Sequence, residues 1–136
     1  MMAVRDRGSA GVETAIAVVG LMMVGFFVIG GIRVVGAGSD VDSAARSAAR
    51  AAAAEYDVDG ATAAAEGVAA TVLADRGVAC QGLSVSVGGD LSPGSVVVVD
   101  VTCTVSLADV VLAGFPGSRT VTGRGVEQVD VVRGGA

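Results

Sequence analysis

Residues 14–32 form an uncharged run of nineteen, bounded by Glu13 on one side and Arg33 on the other. As a helix rising about 1.5 Å per residue, the run spans roughly 28 Å, close to the ~30 Å hydrocarbon thickness of a bilayer. Ile16, Val18, Leu21, Met22, Val24, Phe26, Phe27 and Ile29 fall on every side of such a helix. A core helix of a soluble protein keeps one polar face, and this run has none. Gly20, Gly25, Gly30 and Gly31 are better tolerated in lipid than in water, and none of them forms a G-x-x-x-G pair within the run. The sequence therefore predicts one transmembrane helix over 14–32.

Orientation follows from the flanking charge. Arg5 and Arg7 precede the run with only Asp6 opposing them, so the short N-terminal segment is expected in the cytoplasm and the bulk of the chain outside it. Arg33 reduces this contrast without reversing it. The chain has 136 residues, which leaves room for one small domain beyond the anchor. Its two cysteines, Cys80 and Cys103, both lie in the exported part, where an even count predicts one disulfide. In the chain-entropy view a loop of this length contributes about 3 kcal/mol.

The exported part predicts an α+β domain. The helix should continue through 39–54, a stretch dominated by alanine in which Asp42 and Arg46 stand four apart. Arg46 and Arg50 share a face that is either solvated or set against an acidic neighbour. Residues 55–60 break the helix, and a second one is expected over 61–76, capped by Asp59 and stopped by Gly77. Its apolar stripe is Ala61, Ala65, Val68, Ala69 and Val72. Leu83, Val85 and Val87 then alternate with serines, and Val97, Val99, Val101, Cys103 and Val105 share one strand face opposite Asp100, Thr102 and Thr104. This arrangement brings Cys103 within reach of Cys80. Gly88-Gly89-Asp90, Ser92-Pro93-Gly94 and Phe115-Pro116-Gly117 are turn signals. Residues 107–113 fit a short helix or a strand, 119–132 one or two further strands, and the last four residues a frayed end.

Catalytic machinery is hard to assemble from this composition. Without histidine there is no His-based triad or histidine metal site, and without lysine no Ser–Lys dyad or Schiff base. Gly123-Arg124-Gly125 does not extend to a nucleotide-binding fingerprint. The net charge of −5 argues against a nucleic-acid partner, and no resident cofactor is expected. One spacing points to a cation. Glu55, Asp57, Asp59, Gly60 and Glu66 occupy positions 1, 3, 5, 6 and 12 of a twelve-residue window between two predicted helices, as in an EF-hand calcium loop. Glu at position 1, Thr62 at position 8 and Ala63 at position 9 depart from that pattern. The same acidic stretch fits a capped helix break.

Two short stretches carry a family resemblance. In Arg5-Asp6-Arg7-Gly8-Ser9-Ala10-Gly11-Val12-Glu13 a charged leader ends in glycine, a small residue follows, and an acid stands five positions beyond the glycine at the lip of the apolar helix. This resembles a type IV prepilin signal. The resemblance implies that a prepilin peptidase cuts between Gly8 and Ser9, and that Glu13 pairs with the free amine of a neighbouring subunit. Ala44-Ala45-Arg46-Ser47-Ala48-Ala49-Arg50-Ala51-Ala52 is similar to the Ala-Ala-Arg-Glu-Gly-Ala-Arg-Ala-Ala stretch of TadE-like and TadG-like pseudopilins of tight-adherence pilus systems, with Ser47 and Ala48 as departures. The likeness covers about residues 5–55.

It implies a leader over 1–8, a long helix over 9–55 and an exported domain over 56–136. Implied partners are other pilins or pseudopilins, the prepilin peptidase, the inner-membrane assembly platform and membrane lipid. The implied location is the bacterial inner membrane, or a surface fibre. Two other readings stay open. Val35-Gly36-Ala37 is a small-residue signal peptidase site that would release a soluble binding module from Gly38, although Arg33 lies close to it. Alternatively, the chain is a single-pass envelope protein unrelated to pili.

Overall fold

The computed structural model of the chain describes residues 7–106 and 117–134. Helix α1 runs over Arg7–Ala54 and α2 over Val58–Asp75. Strands β1 (Cys80–Gly89), β2 (Val96–Ser106) and β3 (Ser118–Gln128) follow, and a 3-10 turn at Val131–Gly134 ends the described chain. The fold is α+β. The chain divides into two compact units, Met1–Val34 and Val35–Ala136. The expectations for 107–113 and for Phe115-Pro116 lie outside the described residues.

In the second unit, the three strands form one antiparallel sheet in the order β1-β2-β3. Alternation decides which side is covered. Val97, Val99, Val101 and Cys103 of β2 are fully buried, while Asp100, Thr102 and Thr104, which alternate with them, are half-buried on the other side. Pairing of Val85 with Val101, Val87 with Val99, and Val101 with Gly123 continues the apolar face across the sheet. The opposite face is polar. There Thr102 meets Thr122 and Thr104 meets Thr120, each at 3.4 Å, and Arg124 donates to Asp100 at 2.6 and 3.2 Å. This ion pair holds the Arg124 guanidinium above its ordinary pKa, through hydrogen bonding first and charge second.

Helices cover the apolar face. The second half of α1 buries Val41, Ala44, Ala45, Ala48, Ala49, Ala52 and Ala53, a stripe at helical spacing. It lies over β3, and the glycines of β3 explain how closely. A methyl placed on Gly123 would stand 2.7 Å from backbone atoms of Val41 and Asp42, and one on Gly125 would overlap the Ala45 carbonyl. Small residues on both surfaces thus let backbone meet backbone. Alanine contributes helix propensity here as well as small size.

Helix α2 lies against β1 and contributes Ala61, Ala65, Ala69 and Leu73 to the same core. Val68 and Val72 of the expected stripe are only half-buried. The helix begins at Val58, three residues before the expected start, and its N-cap is Asp57 rather than Asp59. The reason is local: the Asp57 carboxylate accepts the Gly60 amide at 2.7 Å, which satisfies an amide the first turn leaves open. Gly77 stops the helix as expected. Its φ of 70° closes a Schellman turn in which Gly77 donates to Ala74 and Val78 donates to Leu73. Arg76 then reaches back to Asp40 at 2.8 Å, tying the end of α2 to α1.

Cys80 and Cys103 form the expected disulfide, with Cα atoms 5.4 Å apart. Only one strand forms within 119–132, and Val131–Gly134 closes into a 3-10 turn instead of fraying at Arg133.

Candidate functional site

The apolar run is the first candidate. Residues 14–32 lie wholly within α1, and all their large side chains are exposed, Leu21 to 75% and Phe27 to 66%. None of the helix's most apolar stretch is buried. It is long and apolar enough to cross a membrane, a property that anchors share with export signals near an N-terminus. Thr14, the polar residue of the run, turns its hydroxyl back to the Ala10 carbonyl at 2.7 Å. Its hydrogen bond is thereby satisfied without water, as a hydrocarbon setting requires.

Beside this run lie the residues singled out for processing. Gly8 and Ser9 fall in the first turn of α1, which begins at Arg7, and Glu13 is exposed at the edge of the uncharged stretch. Glu13 is the seventh residue of the helix, beyond the first turn in which the macrodipole favours an acid. Removal of residues 1–8 would make it the fifth residue of the chain.

The Ala-Ala-Arg stretch has a clear structural role. Its alanines at 44, 45, 48, 49 and 52 are buried in the domain core, with Ala45 against Gly125 of β3, and its arginines face outward. Arg46 pairs with Asp42 at 2.9 Å within the helix, and Arg50 approaches Glu127 of β3 at 3.9 Å. Both pairs are largely exposed and contribute little stability.

The twelve-residue acidic window does not form a calcium loop. From Val58 onward it is helix, so Glu66 stands more than two turns up α2 from Asp57. A calcium loop must wrap its ligands around one point, which a continuous helix cannot do. Among the described residues no three acidic, cysteine or histidine side chains gather to hold a metal. Asp57 serves as the cap, and Glu55 lies beside the same Gly60.

A shallow pocket of about 460 Å³ lies between this helix break and the β1–β2 turn, lined by Tyr56, Val58, Val87 and Leu91 with Asp57 and Asp90 at its rim. Asp90 accepts from the Ser92 amide at 3.0 Å and from its hydroxyl at 2.9 Å. The backbone bond leads in holding the Asp90 carboxyl below its ordinary value. Both rim carboxylates therefore already serve their own turns.

Sequence reasoning missed Gly123 and Gly125. The signal was present as glycines two apart on one strand face, but only the position of α1 gives it meaning. Comparison with protein families, curated proteins and solved structures finds no match to the chain.

Proposed function

We propose that the chain is a pilin-like structural subunit of the TadE/TadG type. On this reading it is held in the bacterial inner membrane by residues 14–32 and exports its small domain. The observation that carries the reading is the exposed apolar helix, directly preceded by Gly8, Ser9 and Glu13 in prepilin order. Such a helix partitions first into lipid and then into a bundle of like helices, where it exchanges one apolar setting for another. Glu13 is costly in hydrocarbon, by about 2.5–3.5 kcal/mol at the centre of a bilayer and less near its edge. A neighbour's free N-terminal amine would offset that cost and fix the stagger between subunits. The partners on this reading are other pilins, a prepilin peptidase and an assembly platform.

Sequencing the N-terminus of the protein recovered from cells tests the proposal. A start at Ser9 is expected. A start at Gly38 would indicate a secreted module, and an uncut Met1 a plain anchored envelope protein. A Glu13→Ala chain should be processed normally and fail to enter fibres; normal assembly would remove the role given to that carboxylate.

A further inference from the structure

Helix α1 meets glycines of two kinds. Those opposite it on β3 are required by close approach. Those within it are not: a methyl on Gly31 or Gly36 would meet nothing within 4 Å, and one on Gly38 would make ordinary contact with Val121 at 3.9 Å. None of these helical glycines has a positive φ. What remains is their effect on the helix itself, because each glycine makes local opening about fivefold easier than alanine would.

Tertiary packing does not compensate for this. Within α1 the buried core begins only at Val41, and residues 31, 32, 35 and 36 are exposed. Immediately downstream, 44–53 is rich in alanine and buries Ala44, Ala45, Ala48, Ala49, Ala52 and Ala53 in the domain core. The boundary between the two compact units falls at Val34–Val35, beside the same weak stretch. Low propensity at Gly36 and Gly38 therefore coincides with sparse packing: Gly36 is exposed and Ala37 and Gly38 are only half-buried.

We propose that α1 contains a conformational joint at Gly36–Gly38. The helix opens there locally while the domain core, from Val41 onward, stays folded. The apolar segment can then change its surroundings without loading the Ala–Gly contact with β3. The inference rests on the run 14–32 being held in lipid and is independent of the pilus reading. Flotation of the protein with liposomes tests the lipid premise separately.

Hydrogen exchange on the full chain in lipid nanodiscs tests the joint. Amides at 34–40 should exchange faster than those at 44–52. In a Gly36→Ala/Gly38→Ala chain, exchange at 34–40 should slow by roughly twentyfold, since both methyls have room and the two effects add. Amides of β2 at 97–103 should be unchanged in that variant, which reports that the domain still folds. Protection at 34–40 equal to that at 44–52 would overturn the proposal. So would fast exchange that the two alanines leave unmoved.

Discussion

The two halves of α1 are both apolar, and they use that character in opposite ways. Residues 14–32 carry large side chains on every side, all turned outward. Residues 41–53 carry small ones on a single stripe, all turned into the domain. The difference lies in what each half is offered as a partner. The domain supplies a matching surface of valines and the two glycines of β3, so alanine suffices. The bulky residues of the first half are exposed on every side and call for an apolar medium from outside. Apolar content alone does not separate an anchor from a core helix; size and angular spread do.

The largest effect expected from breaking this contrast comes from a charge in the second half. Ala48→Arg forces an unpaired cation into the helix–sheet contact, which costs several kcal/mol and should abolish the protease-resistant domain. The same change should leave membrane fractionation intact. Next, Cys80→Ala/Cys103→Ala should lower domain stability by about 3 kcal/mol in urea unfolding, with membrane binding unaffected. Gly125→Ala, the addition of one methyl, should cost about 1–3 kcal/mol by pushing α1 off β3. Gly36→Ala should cost the domain nothing, because nothing stands where its methyl would go.

The smallest of the effects that do change stability is a pH dependence. The Asp90 carboxyl titrates below the ordinary value of 3.8 in the folded chain, so its contribution is complete above that value and fades as pH falls through its lowered pKa. Thermal melts of wild type and Asp90→Asn should therefore differ most above about pH 4 and converge under stronger acid.

Much of the fold is legible because it is local. The uncharged run, the alternation in β2, the Gly77 stop and the cysteine pair each depend on neighbours a few residues away. The Val58 start of α2 was harder to see, because Asp57 and Asp59 offer equally good caps and only the actual bond to Gly60 separates them. The calcium spacing misled for the same reason, since acids at alternate positions fit a loop or a capped break until the helix is placed. Gly123 and Gly125 were illegible in principle. Their role depends on a helix some eighty residues upstream in the chain.

For the candidate site, the sequence supplied the residues and the structure supplied the exposure of Glu13 and of the apolar run. Alkaline extraction of cell membranes, with the extracted protein checked by mass, bears most directly on the whole account. The account predicts that chains retaining residues 14–32 stay with lipid or filaments and leave only with detergent. Recovery of the intact chain as a soluble monomer would contradict it.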